Sequence, residues 1–140
     1  MTRRSGGDAR VLVPGPARGP ALWLDEPLSF WGGIDPSNGR IIDRRHPQHG
    51  ECVTGRILIM PGGRGSSSSS TVLAESIRLG TAPAAIVLTE PDPIIALGAV
   101  IAHELYGAIV PVLLADPPEG IGSGDATRVS EDGTIARESS

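Results

Sequence analysis

The sequence predicts an α/β domain built around a small parallel sheet. Three short apolar runs rich in β-branched residues, Arg56–Met60, Ala84–Leu88 and Ala108–Leu114, read as buried strands. Two helical patterns separate them, and glycine or proline stands at the junctions. Consecutive parallel strands need long crossover connections, and such crossovers are right-handed. A length of 140 residues fits one domain.

Each element has its own warrant. Residues 1–10 are polar, so a frayed tail is expected there, and the absence of an apolar h-region argues against a signal peptide. Ala21-Leu22-Trp23-Leu24 is a short strand candidate before Asp25-Glu26-Pro27. From Leu28 to Gly50 turn formers dominate: Gly32-Gly33, Asp35-Pro36 and Asn38-Gly39. The embedded Phe30, Trp31, Ile34, Ile41 and Ile42 favour an ordered loop. After the strand at Arg56–Met60, Pro61-Gly62-Gly63-Arg64-Gly65 breaks the chain and Ser66–Ser70 lead into a helix over Thr71–Leu79. Val72, Leu73, Ser76 and Ile77 keep helical spacing, and Gly80 stands where a C-terminal cap belongs. Asp92 is placed to cap a second helix with Pro93 at its first position. That helix, Ile94–Leu105, is apolar nearly all round and so is expected to be buried or to face another chain. The domain is expected over 11–130 and a polar tail over 131–140. Thr127–Val129 and Thr134–Ala136 are further β candidates.

Composition excludes several function classes. All 12 basic residues are arginine, which removes Schiff-base chemistry and a lysine-centred phosphate loop. The net charge is -4 and the arginines are scattered, so no nucleic-acid footprint is present. No apolar run approaches the roughly 20 residues of a membrane span, and a soluble, cytoplasmic domain is expected. With one cysteine, Cys52, the chain has neither an internal disulfide nor an all-cysteine metal site. Aromatics are 3% of residues, so the core must rely on aliphatic side chains, and such a thin core suggests that a partner completes one face.

The best place for chemistry is Gly62-Gly63-Arg64-Gly65-Ser66-Ser67. It joins a buried strand to a helix N-terminus on the carboxyl edge of a parallel sheet, where open α/β sheets bind ligands. Glycines admit a ligand close to the backbone, the first helical N–H groups attract an anion, and Arg64 offers a planar fork to a carboxylate or phosphate. A flexible serine linker is excluded by the flanking strand and helix. An anion or catalytic site and simple N-capping by one serine both remain open. Asp35 could touch a ligand, although an Asx-turn before Pro36 is the commoner explanation. His46 and His49 are spaced i, i+3 but read as surface histidines. His103 complements a helix dipole, and Cys52 has no evident activating base. No metal site is expected on this chain.

Several motifs recur in one order: Leu28-Ser29-Phe30-Trp31-Gly32-Gly33-Ile34-Asp35, Ile41-Ile42-Asp43 with His46-Pro47, Gly62-Gly63-Arg64-Gly65-Ser66-Ser67-Ser68, Ala82-Pro83-Ala84-Ala85-Ile86-Val87 and Pro93-Ile94-Ile95-Ala96-Leu97-Gly98-Ala99. Over roughly Ala21 to Leu114 the chain thereby resembles the aconitase X small subunit, or swivel domain. That resemblance implies one subunit of a hydro-lyase whose large subunit carries an iron or iron–sulfur centre, with the active site between the two chains. It places the proton-accepting serine at Ser66. Gly62, Gly63, Arg64, Gly65 and Ser67 then become substrate contacts, with Asp35 a weaker one. The family's substrates are cis-3-hydroxy-L-proline, dehydrated to 1-pyrroline-2-carboxylate, and (R)-5-phosphomevalonate. Arg64 and the serine run resemble the bacterial, hydroxyproline form. The phosphomevalonate enzyme and a stand-alone anion-binding module are the alternatives. A serine base needs its alkoxide stabilised, and a helix N-terminus, turn N–H groups and an arginine are the kinds of group that do so.

Overall fold

The computed structural model describes residues 10–63 and 68–138. The elements follow in the order β1 (Arg10–Val13), β2 (Ala17–Trp23), α1 (Phe30–Gly33), β3 (Ile34–Asp35), β4 (Arg40–Ile41), β5 (Ile57–Met60), α2 (Ser68–Leu79), β6 (Ala85–Leu88), α3 (Pro93–Tyr106), β7 (Val112–Leu114), β8 (Ala126–Val129) and β9 (Ile135–Arg137). One seven-stranded sheet has the order β1-β7-β6-β5-β2-β8-β9, and β3 and β4 form a separate hairpin. The class is α/β, as the sequence predicts. Its parallel centre has four strands, because β2 runs parallel to β5 (Ala21 beside Ile57, Trp23 beside Ile59). β1, β8 and β9 add antiparallel neighbours at either end.

β2 serves two partners in turn. Ala17–Pro20 pair with β8 and Ala21–Trp23 with β5. At the changeover the Arg56 guanidinium donates to the carbonyls of Pro20 (3.2 Å) and Ala21 (2.9 Å), the latter also accepting from the Gly124 N–H at 2.8 Å.

β5, β6 and β7 are laid down side by side in one direction, so both right-handed crossovers fall on the same face. α2 and α3 pack together there. Leu73, Ala74 and Ile77 of α2 and Ile95, Ala99 and Ala102 of α3 meet Leu58, Met60, Ile86 and Leu88 from the sheet. The alternate strand residues Ile57, Ile59, Ala85 and Val87 face the other way. They are covered by Ile121, Ala115, Val129, Ile135 and the half-buried Trp23. Both sheet faces are therefore closed by this chain itself, so a face left for a partner to complete lies outside the sheet. The residue left without cover is of another kind: Leu97, Val100 and Leu105 of α3 are 48%, 43% and 67% exposed.

Four local expectations change. The helix expected from Thr71 begins at Ser68, with Ser69 and Ser70 buried inside it. The third parallel strand starts at Val112, because residues 108–111 follow the left-handed cap at Gly107 and include Pro111, which has no N–H for a ladder. The stretch assigned to a C-terminal tail contains β9, whose Ile135 is buried against Val129. The loop Leu28–Gly50 is ordered as expected, with Phe30, Ile34 and Ile41 buried, but Trp31 and Ile42 point outward.

Candidate functional site

The carboxyl ends of β5 and β6 bring three segments together. β5 ends at Met60, and the chain turns through Pro61 to the buried Gly62 and half-buried Gly63. Alongside, Leu28 forms a parallel bridge with Gly63, and its N–H donates to the Gly62 carbonyl at 3.3 Å. The third segment is the start of α3. Asp92 caps it as the sequence predicts, Oδ1 accepting from the N–H groups of Ile94 (3.0 Å) and Ile95 (3.3 Å). Its second oxygen does something the sequence reading missed: Oδ2 accepts from the Gly63 N–H at 2.5 Å. One carboxylate thus joins the exit of β5 to the first turn of α3.

Gly63 is a glycine because of that contact. A Cβ there would lie 2.5 Å from Asp92 Oδ2 and 3.1 Å from Ile95 Cγ1. Around this junction the surface is hollowed. A groove of about 440 Å³ opens between Arg10, Leu12, Pro93 and Leu114 beside Asp92, and a smaller one of about 170 Å³ lies between Trp23, Pro61 and Thr89.

Of the predicted site residues, Gly62 and Gly63 sit at this edge. Arg64, Gly65, Ser66 and Ser67 lie outside the described residues. They are flanked by Gly63 on one side and, on the other, by Ser68, where α2 starts. Among the described residues the first turn of α2 carries no acidic side chain that would offset the positive end of the helix. Ser29 approaches the same helix, its Oγ 3.4 Å from Ser69 Oγ and donating to the Trp31 carbonyl at 2.7 Å. The Leu28–Gly33 motif therefore borders both Gly63 and α2.

Asp35 belongs to the β3–β4 hairpin. Its Oδ1 accepts from both the N–H (2.9 Å) and the hydroxyl (2.7 Å) of Ser37, the Asx-turn foreseen before Pro36. Those two bonds, the hydroxyl first, hold its carboxyl below the ordinary value of 3.8.

His46 overturns the surface reading given to it: it is buried, while His49 is exposed. Nδ1 accepts from the Gln48 N–H and Nε2 lies 3.0 Å from the Glu26 carbonyl, to which it donates in the tautomer that Nδ1 dictates. Gln48 also bonds Asp25 through both ends of its amide. His46-Pro47 therefore pins its loop to the segment that leads into Leu28. Cys52 donates to the Asn38 carbonyl. Among the described residues no three His, Cys, Asp or Glu side chains cluster as ligands. An iron centre does not fit this part of the chain.

A family model described as the aconitase X swivel domain matches residues 7–137. The chain belongs to that family. A chain of the crystal structure of Thermococcus kodakaraensis aconitase X (holo-form) superimposes with a TM-score of 0.78 and 31% identity, covering 94% of this chain and 98% of that one. The solution structure of a UPF0107 protein gives a TM-score of 0.79 at 35% identity, over 94% of this chain and 97% of that one. Among curated relatives, cis-3-hydroxy-L-proline dehydratase of Pseudomonas aeruginosa is 53% identical over 103 residues, which are 74% of this chain and 18% of that enzyme. The phosphomevalonate dehydratase small subunit of Methanothermobacter thermautotrophicus is 50% identical over 95 residues, 68% of this chain and 72% of that subunit. This swivel domain thus spans less than a fifth of the bacterial dehydratase and most of the archaeal small subunit. Among the described residues no helix is long and apolar enough to cross a membrane.

Proposed function

We propose that the chain is the small, swivel subunit of an aconitase X-type dehydratase that converts cis-3-hydroxy-L-proline to 1-pyrroline-2-carboxylate together with a large subunit. The observation that carries this is the junction of Leu28, Gly62–Gly63 and Asp92 at the carboxyl edge of the sheet, beside the start of α2. Ser66 lies in the short connection between these two fixed points. In the proposed reaction Ser66 Oγ takes the proton from the carbon bearing the substrate carboxylate. The β-hydroxyl leaves, takes up the proton that Ser66 had accepted and so becomes water while the serine base is restored, and the resulting enamine tautomerises to the cyclic imine. Arg64, Ser67 and the backbone of Gly62–Gly65 contact the anionic substrate, Gly63 by close approach because its N–H is given to Asp92, with Asp35 a weaker contact. The N-terminal end of α2 and Arg64 lower the cost of the serine alkoxide.

The large subunit would hold the iron or iron–sulfur centre, and no step is assigned to that group here. Relatives named small subunits favour such a partner, and the uncovered apolar side chains of α3 offer it a surface. Between the two family substrates, identities of 53% and 50% do not discriminate. Arg64 followed by the serine run supports hydroxyproline, and the archaeal small subunits support phosphomevalonate as the second reading. The test is an anaerobic dehydration assay of the co-expressed subunits on both substrates, with Ser66→Ala alongside wild type. Turnover of cis-3-hydroxy-L-proline that collapses in an assembled Ser66→Ala complex is the expected result. Turnover of phosphomevalonate alone would replace the substrate, and a fully active Ser66→Ala complex would remove the serine base. Failure of the two chains to assemble would favour a stand-alone anion-binding module.

A further inference from the structure

The connection from Gly63 to Ser68 is anchored at both ends by one helix. On the entry side, Asp92 at the start of α3 receives the Gly63 N–H. On the exit side, α3 approaches the first turn of α2 so closely at Gly98 that a Cβ there would lie 2.8 Å from the Ser70 carbonyl oxygen. The two anchor points stand six residues apart along α3, so one rigid helix, beside the Leu28–Gly33 motif, ties them together.

We propose that Asp92 is a positioning residue for the reaction: its Oδ2 clamps Gly63 and so fixes the origin from which Ser66 is presented to substrate. This rests on the serine-base reading above. Capping does not require the clamp, since Oδ1 alone accepts both N–H groups of α3. Nor does bridge formation, since Leu28 reaches Gly63 through its neighbour's carbonyl and leaves the Gly63 N–H for the carboxylate. The glycine at 63 and the acid at 92 thus form a matched pair, one supplying an unobstructed N–H and the other a spare oxygen.

The two roles separate by substitution. Serine is a good N-cap but too short to reach Gly63, so Asp92→Ser keeps the cap and loses the clamp, whereas Asp92→Ala loses both. Gly63→Ala breaks the same contact from the other side and leaves the cap alone. In the full-length chain, amide exchange measured by NMR at Gly63 should accelerate by on the order of ten- to a hundredfold in Asp92→Ser, the loss expected for a bond to a charged acceptor. In the assembled dehydratase kcat should fall by up to about 100-fold with KM unchanged, since misplacing a catalytic group by about 1 Å can cost that much. Asp92→Ser combined with Gly63→Ala should be no slower than the worse single variant, because both remove one contact.

Unchanged Gly63 exchange in Asp92→Ser overturns the proposal whatever the activity. A freed Gly63 amide with wild-type kcat, or additive losses in the double variant, overturns it equally. An active Ser66→Ala enzyme sinks the serine-base reading alone, and the Gly63 amide still decides the clamp.

Discussion

Replacing Gly98 by alanine sets two opposed effects against each other inside α3. Alanine is the better helix former, by about 1 kcal/mol in a helix interior. Against that, its Cβ would stand 2.8 Å from the Ser70 carbonyl oxygen, 3.0 Å from Leu73 Cδ2 and 3.1 Å from Leu73 Cβ. Leu73 Cδ2 can turn away, but a backbone carbonyl within α2 and the Leu73 Cβ cannot, so the helices must separate. Forcing an extra carbon into a filled core costs about 1–3 kcal/mol, and separation also loosens Leu73 and Ile95, both almost fully buried between the helices and the sheet. The steric effect should win, leaving Gly98→Ala less stable by about 1–2 kcal/mol, or roughly 3–6 °C in Tm for a chain of this length. The assay is urea and thermal unfolding beside Val100→Ala. Val100 is 43% exposed on the outer side of the same helix, so alanine there reports propensity with little packing and should be neutral or slightly stabilising. A Gly98→Ala protein as stable as wild type would refute the argument, because it would mean that α2 and α3 part without cost. The same substitution acts on the first turn of α2, so it should also depress the activity proposed for the neighbouring serine.

Three further outcomes are expected. His46→Ala, which strands the Glu26 carbonyl and the Gln48 N–H in a buried loop, should cost about 2 kcal/mol in denaturant unfolding; a loss within error of zero would show the loop to be held by other contacts. The folded-state pKa of Asp35 is lowered, so its turn contributes stability above the ordinary value of 3.8 and loses it as pH falls through the lowered one. The stability gap between wild type and Asp35→Ala should therefore be present at neutral pH and fade as acid protonates the carboxylate below its lowered folded-state pKa, and a gap independent of pH would remove the carboxylate from the account. Leu97→Glu with Leu105→Glu places charge on side chains 48% and 67% exposed; Tm should hardly change while co-purification with the large subunit is lost, and an intact complex would exclude this face of α3 as the contact.

The parallel centre was legible because its signals are local. Ile57–Met60 and Ala85–Leu88 are continuous apolar runs, as strands buried on both faces must be. Asp92-Pro93 marks the start of α3 without any knowledge of its neighbours. β1 and the first half of β2 were missed for the converse reason. Arg10–Val13 is four residues long, and Ala17-Arg18-Gly19-Pro20 mixes small, charged and imino residues that carry no periodicity; pairing with β7 and β8 makes them strands. β9 falls one residue beyond the β candidate Thr134–Ala136, inside the stretch also read as a polar tail, because Ile135 is its one buried residue. At the site, the glycine turn stood out by composition, yet the partner of Gly63 lies 29 residues away in the chain. A cap signature accounts for one oxygen of Asp92 and is silent about the other. His46 was misjudged in the same way, since its two acceptor and donor partners are set by a loop fold that spacing does not encode.

The distribution of apolar surface separates folding from the proposed catalysis. Ile57, Ile59, Ala85 and Val87 are fully buried by this chain's own β8, β9 and Ile121, so the sheet needs no second subunit to exclude water. Among the side chains left uncovered, Leu97, Val100 and Leu105 lie on the outer face of α3, the helix whose cap Asp92 holds Gly63 and whose sixth residue abuts α2. A large subunit gripping that face would be registered against the connection carrying Ser66 through a single rigid element rather than through the core. Two consequences follow for the substitutions above. Charge at Leu97, one residue before the α2 contact at Gly98, should lower kcat as well as affinity, whereas charge at Leu105, two turns further on, should weaken assembly while sparing kcat at saturating partner. Equal loss of kcat from both would argue that the partner reaches the site by another route.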